Sequence, residues 1–416
     1  MALPCSTPTG AGPTLTGSAG LSLPLAGEGL SRASSSARVF IAGSASAQLL
    51  PCQGEGWRAA PGWGYATGET SAIPPKPRAN LPLDGRRLLG DKRVSLKSYN
   101  MRNTMSPCRI GIVGLGKIAE DQHVPVILKN PAFALAAVAS QRGHGVTGVP
   151  TFRSHGEMFA AVPEMKAVAI CTPPKVRHAI AREALAAGLD VMLEKPPAAT
   201  LSELADLAAF AAERGRVLFT TWHSQYNPAV EWAADVLKGR TVRTLEVTWK
   251  EDVRRWHPGQ DWIWRAGGFG VFDPGINALS IVTRILPAPV FVETATLVTP
   301  ANADAPIAAD LVFASAAPGA ARLNAAFDWR QTGDQTWTIR IETAEGQELL
   351  LENGGARLLI DGMVTVDEPM AEYERIYEHF AALVEGRRSH VDDAPLRLVA
   401  DSFLIGRRIE TDAFHW

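Results

Sequence analysis

The chain has 416 residues, with 41 Lys and Arg against 43 Asp and Glu and 46% apolar side chains. That length exceeds one ordinary domain and allows two sizeable cores, and a net charge of −2 sets up no global field for nucleic acid or an anionic membrane. No apolar run approaches the ~20 residues of a membrane span. The four cysteines, Cys5, Cys52, Cys108 and Cys171, show no paired spacing; this argues against a disulfide framework and a zinc site and fits a reducing, cytoplasmic compartment.

Residues 1–104 are rich in Gly, Ser, Ala and Pro and lack amphipathic period. Up to Arg102 they hold eleven Lys and Arg against five Asp and Glu. Such a composition buries no core and reads as a disordered extension. A basic, Ser-rich leader also fits a transit peptide, but no secretory pattern is present. Natural translation from Met101 or Met105 is the preferred reading, because periodic sequence starts just past Met105.

Arg109 to Val113 is a short β-type run. Gly114, Gly116 and Ala119 follow it with the spacing G-x-G-x-x-A. The first glycine permits a tight turn, the second admits a pyrophosphate, and the small third residue lets the next helix lie close to the strand. That helix is predicted over Lys117 to Lys129. Strands follow at Ala134 to Ala139, Lys166 to Cys171, Val191 to Leu193 and Val217 to Thr221. Between them come a helix from "TPPK" to Ala187 and another over Leu201 to Arg214, with Thr200 as N-cap. Alternating strands and helices predict a Rossmann-like, doubly wound parallel sheet whose ligands lie beyond the carboxyl ends of the strands.

Four turns then share one rim: the glycine turn, Ser140–Arg142, Thr172–Lys175 and Glu194–Pro197. The cofactor set is Gly114, Gly116, Lys117, Ile118, Ser140, Gln141, Arg142, Cys171, Thr172, Pro173, Glu194 and Lys195. His178 is counted with it, although it sits, like His123, in or beside a helix with no evident partner. Cys171, inside an apolar run, reads as a small buried hydrophobe. At the end of the second strand an NAD site usually offers a carboxylate. Here Ser140, Gln141 and Arg142 offer a hydroxyl, an amide and a guanidinium, which suit a 2′-phosphate and predict NADP ahead of NAD.

After Pro228 a helix to about Leu237 leads into β-type runs, several alternating with period two: "TVRTLEVTWKEDV", "VFVETATLV", "IAADLVFA", "ARLNAAFDWR", "QTWTIRIETA", "QELLLEN" and "ARLLID". They predict an α+β domain with a large, mostly antiparallel sheet. The insertion "GGFGVFDPGINALSIVTRILP" reads as a turn opening a helix. Closing helices are expected over Glu372–Glu385 and about Pro395–Thr411. Trp249, Trp256, Trp262 and Trp264 crowd a short stretch with Glu251, His257 and several other charges. Trp262 and Trp264 read as core.

"EKP" at Glu194-Lys195-Pro196, the glycine turn and "GGFGVFDPGIN" together resemble the Gfo/Idh/MocA oxidoreductase family over about Met105 to Trp416. The runs "WKEDVRRWHPGQDWIW", "MLEKPP", "TWHS" and "PLRLVADSFLIGRRIETDAF" look like its bacterial members that oxidise L-arabinose and D-galactose at C1. The resemblance implies a Rossmann domain over 105–226 and a substrate and oligomerisation domain with C-terminal helices over 227–416. It implies hydride transfer from C1 of an aldopyranose to nicotinamide, giving the aldonolactone. It makes Lys195 catalytic, with the peptide before Pro196 commonly cis, and it maps the family's second motif onto Gly267, Gly268, Asp273, Gly275 and Asn277.

Many members carry His where Asn277 stands. Asparagine does not titrate, so the O1 proton is expected to reach Lys195, or Asp273, or water through them. The implied sugar pocket is His223, Glu251, Trp256, His257, Asp273, Asn277 and Trp329. A tryptophan covers the apolar face of a sugar, and polar groups take its hydroxyls. No metal is expected. The resemblance also allows a homo-oligomer through an exposed sheet face. Two further readings stay open: a regulatory protein that senses NADP and sugar without turnover, and an oxidoreductase for another polyol or an imine.

Overall fold

The computed structural model describes residues 106–416; the extension expected over 1–104 and a start at Met101 or Met105 lie outside the described residues. The first half builds a parallel sheet from β1 (Cys108–Val113), β2 (Phe133–Ala139), β3 (Thr151–Phe152), β4 (Ala167–Ile170), β5 (Asp190–Leu193) and β6 (Leu218–Thr220), in the order β3-β2-β1-β4-β5-β6. The crossovers carry α1 (Val124–Lys129), α2 (His155–Ala161), α3 (Pro174–Ala186) and α4 (Leu201–Glu213). Layers on both faces explain why β4 and β5 read as unbroken apolar runs: Val168, Ile170, Val191 and Leu193 are wholly buried.

α4 starts where expected. Thr200 Oγ1 accepts the Glu203 N–H at 3.2 Å, and Glu203 Oε2 accepts the Thr200 N–H at 3.2 Å, a reciprocal capping box. The helix after the glycine turn spans Lys117–Lys129, as predicted, but Ala119–His123 is a π turn. His123, at its end, is wholly buried.

The second half runs α5 (Pro228–Leu237), β7 (Val242–Lys250), α6 (Val253–Trp256), α7 (Phe272–Ile285), β8 (Val290–Pro300), β9 (Ala308–Ser315), β10 (Arg322–Asp328), β11 (Thr336–Thr343), β12 (Glu348–Glu352), β13 (Arg357–Ile360), β14 (Met363–Asp367), α8 (Glu372–Glu385), α9 (Ala394–Ile405) and β15 (Arg407–Thr411). Its strands form one sheet in the order β14-β13-β12-β11-β7-β10-β9-β8-β15, antiparallel except for the pairs β7·β10 and β8·β15. In β7, Leu245, Val247 and Trp249 are buried while Glu246 between them is exposed, the alternation of a half-covered sheet.

The closing helix expected over Pro395–Thr411 is corrected. It ends at Ile405; Gly406 leaves it in extended conformation, and Arg407–Thr411 joins the sheet edge beside β8. α8 then returns to the first sheet. Tyr373, Ile376, Tyr377 and Phe380 share a core with Ile110, Ile112, Phe133 and Phe219. Phe380 stacks on Phe133 and Phe219 at 5.9 and 6.0 Å between centroids.

Candidate active site

The glycine turn has the geometry its spacing requires. Gly114 has φ +92°, and a Cβ there would lie 2.9 Å from the Thr172 nitrogen, so only glycine fits. Around Gly116 there is open space, which leaves its backbone accessible. Lys117 pairs with Asp121 one turn along, and Ile118 is exposed. Across the turn, Thr172 Oγ1 is buried without a partner. An open glycine backbone, an orphaned buried hydroxyl and a helix N-terminus suit the diphosphate and nicotinamide end of a dinucleotide.

At the end of β2, Ser140 is buried and Gln141 and Arg142 are exposed. A second guanidinium joins them: Arg153 donates to the Gln141 carbonyl at 3.1 Å. Cys171 is half-buried, where full burial was expected, and packs at the edge of the first core with Thr172 and Pro173 after it.

The peptide between Lys195 and Pro196 is cis. Lys195 Nζ donates to the Asp273 backbone carbonyl at 2.9 Å and lies 3.4 Å from Asp273 Oδ2. His257 Nε2 lies 3.4 Å from the same oxygen. Asp273 sits in the first turn of α7, where the helix N-terminus favours an anion. Burial opposes its charge, but Lys195 and His257 outweigh that and hold its pKa below the ordinary carboxylate range. Burial, with Lys195 nearby, pushes the His257 pKa below the ordinary histidine value against the pull of Asp273. Asn277 is half-buried one helical turn beyond Asp273, on the same face of α7.

The close approach at Gly268 fixes the loop before α7. A Cβ there would fall 2.4 Å from the Trp262 carbonyl oxygen.

Glu251 follows β7 and is buried. Trp337 Nε1 donates to it at 2.9 Å and Trp329 Nε1 at 3.3 Å. Burial nonetheless pushes its pKa up to about 7. Trp256 is 39% exposed, with its ring against Trp337 and its Nε1 donating to Gln335 at 3.3 Å. His223 Nδ1 lies 3.1 Å from Glu372 Oε1; burial would depress its pKa, but Glu372 prevails and raises it.

Beneath Lys195, Glu194 is buried. Its carboxylate accepts the Lys195 N–H at 2.9 Å and the Tyr373 hydroxyl at 2.7 Å, and lies 3.1 Å from His123 Nε2. Burial opposes the charge, yet His123 and Tyr373 hold its pKa down to about 2.

One expectation needs correction, and His178 has a partner the sequence did not show: its Nε2 lies 2.7 Å from Asp206 Oδ2, which Arg182 shares, so the ring is held between α3 and α4. Trp329 has no exposed surface and cannot line a pocket; its indole lies tilted against His257, 5.2 Å between centroids, and donates to Glu251. Sequence reasoning missed Arg153, Arg177, Trp337, Glu372 and Tyr373, and it left His123 without a partner. Only the basic character of Arg153 and the burial-prone position of Arg177 on α3 offered a local signal. Among the described residues no His, Cys, Asp and Glu group has the form of a metal site, and no helix is long and apolar enough to cross a membrane.

Residues 108–222 match the model of the Gfo/Idh/MocA oxidoreductase family with an NAD-binding Rossmann fold. The galactose 1-dehydrogenase of Pseudomonas fluorescens is 48% identical over 312 residues, 75% of this chain and 100% of that protein. The crystal structure of D-galactose 1-dehydrogenase from Rhizobium etli matches with a TM-score of 0.71 at 54% identity, covering 75% of this chain and 99% of that one. A 3-ketoreductase from Actinomadura kijaniata has a TM-score of 0.65 at 19% identity over 73% of this chain and 99% of that one, a likeness of fold alone. The parallel sheet, its glycine turn and a relative alike over its whole length agree: the chain belongs to the Gfo/Idh/MocA oxidoreductase family of NAD(P)-binding enzymes.

Proposed function

We propose that the protein oxidises C1 of an aldopyranose, D-galactose or L-arabinose, to the aldonolactone, with NADP preferred. The observation that carries this reading is Lys195 Nζ at the cofactor rim, 2.9 Å from the Asp273 carbonyl and 3.4 Å from its carboxylate. Relatives named galactose 1-dehydrogenase supply the substrate class.

The bound dinucleotide would be held by the Gly114–Gly116 turn, Thr172 and the Ser140–Arg142 turn, and it supplies a nicotinamide ring able to accept the C1 hydride. Lys195 takes or relays the O1 proton, and Asp273 beside it shares the proton load. Asn277 cannot titrate and orients a hydroxyl or the ring oxygen. The exposed ring of Trp256 covers an apolar sugar face, and Glu251, fixed by two indole N–H groups, takes a hydroxyl. His223, pinned at Nδ1 by Glu372, keeps Nε2 for another. The NADP preference rests on Ser140, Arg142 and Arg153, three groups suited to a phosphate, with no acid at the end of β2.

D-Galactose and L-arabinose share configuration at carbons 2, 3 and 4 and differ by a CH₂OH at carbon 5. A gap there discriminates by about 1–3 kcal/mol, so both are expected to turn over. Steady-state assays of reduced nicotinamide with an aldose panel and each dinucleotide test this. We expect turnover of both sugars and a lower KM for NADP⁺ than for NAD⁺. No turnover of any aldose with either dinucleotide overturns it.

A further inference from the structure

We infer that Arg177 is a positioning residue that fastens the catalytic lysine's turn to the cofactor turn beside it. Arg177 lies in the first turn of α3 and is 3% exposed. Nη1 donates to the carbonyls of both Glu194 and Pro196, and Nη2 donates to the carbonyl of Thr172. The first two carbonyls flank Lys195 on either side. The third belongs to the residue whose hydroxyl is orphaned at the dinucleotide rim.

Two physical facts count against an arginine here. A buried cation is costly to desolvate, and a helix N-terminus repels positive charge. An apolar side chain would pack α3 on the sheet more cheaply, so packing does not account for the guanidinium. Its fork does. β4 and β5 pair through Ile170 and Leu193, and the last ladder bond is Glu194 N–H to the Ile170 carbonyl at 3.1 Å. Beyond that point no strand partner remains for the carbonyls of Thr172, Glu194 and Pro196. A planar group with several fixed donors satisfies all three at once, which an ammonium on a flexible stem does not. With the peptide planes on both sides of Lys195 held, its side chain is aimed at Asp273. Glu194 holds the Lys195 N–H from another direction, so the turn is gripped through both donors and acceptors.

The inference rests on the sugar-oxidation reading, and its test keeps the two apart. Arg177→Lys and Arg177→Met are made in the full chain. Dinucleotide affinity is read from quenching of tryptophan fluorescence, which needs no turnover, and kcat and sugar KM are read at saturating dinucleotide. For folded variants we expect a dinucleotide Kd raised at least threefold and kcat lowered at least tenfold. Sugar KM should stay within threefold, because Glu251, Trp256 and Asn277, set against the sugar in that reading, lie on the second half. Hydrogen exchange of the parent supplies an arm independent of either variant's folding: dinucleotide should protect segments 171–177 and 194–198 together.

Protection of the first segment without the second overturns the inference. So does a folded Arg177→Lys with kcat and Kd within twofold of the parent, or one that loses only melting temperature. A parent inactive on every aldose fails the sugar reading, while the exchange and affinity arms still judge Arg177.

Discussion

Lys195 and Glu251 belong to different halves, near enough for the lysine to act on the carboxylate, and each leads to a separate measurement. Lys195→Met keeps the stem and removes the donor held by Asp273. If the amine moves the O1 proton, kcat falls by about 10²–10⁴ while the circular dichroism spectrum stays unchanged. A rate close to the parent's would dismiss the amine as a proton carrier. Glu251 makes a prediction about stability. Burial raises its pKa from 4.5 to about 7 in the folded chain. Between those values the unfolded chain has already lost the proton, so stability present below pH 4.5 declines as the pH rises to about 7. Glu251→Gln cannot titrate. Urea denaturation should therefore show the parent losing stability relative to Glu251→Gln between pH 5 and pH 8, and a constant gap would contradict the raised pKa. Lys195, Asp273 and Glu251 entered the candidate site through a family resemblance carried by short local runs, and the fold brings Lys195 and Asp273 together. His123 and Arg177 did not enter it, since their partners are contributed by distant chain: Tyr377 for the one, the Glu194 and Pro196 carbonyls for the other.

The elements read most plainly were those with a local signal at an end or a clear helical period. α4 begins at Thr200 because a hydroxyl and Glu203 exchange hydrogen bonds with backbone N–H groups there. Thr200→Ala removes one of these bonds and should lower stability by about 1 kcal/mol, read as a shifted urea midpoint at constant slope. An unchanged midpoint would mean that tertiary contacts alone set the start of α4. α8 was equally plain, with Tyr373, Ile376, Tyr377 and Phe380 at helical spacing on its buried face. The last strand was not. "RRIET" follows a helical run without Pro, and its β state depends on an open edge of β8 that no local pattern announces. The short β3 was missed because two residues of strand carry no period, and α2 was missed although Ser154 caps it by accepting the Glu157 N–H. The π turn at Ala119–His123 is likewise set by what His123 reaches, Glu194 and Tyr377, rather than by its own residues.

At the scale of the whole folded part, α8 makes two sheets into one cooperative body. It leaves the second sheet after β14 and covers a face of the first, where Phe380 sits between Phe133 and Phe219. The same helix supplies Tyr373 to Glu194, Tyr377 to His123 and Glu372 to His223. Its docking is therefore both a core contact and a support of the catalytic rim. The division into a nucleotide half and a β-rich half was legible from the change of period near Pro228, but this return was not, because an amphipathic helix does not say which sheet it will cover. Phe380→Ala should cost about 3–5 kcal/mol through the cavity it leaves. Because the helix joins both layers, the loss should appear as one earlier transition in which tryptophan fluorescence, dominated by the second half, and dinucleotide binding, a property of the first, are lost together. Two separated transitions, with dinucleotide binding lost first and the fluorescence change unmoved, would show that the halves unfold independently and that α8 does not couple them.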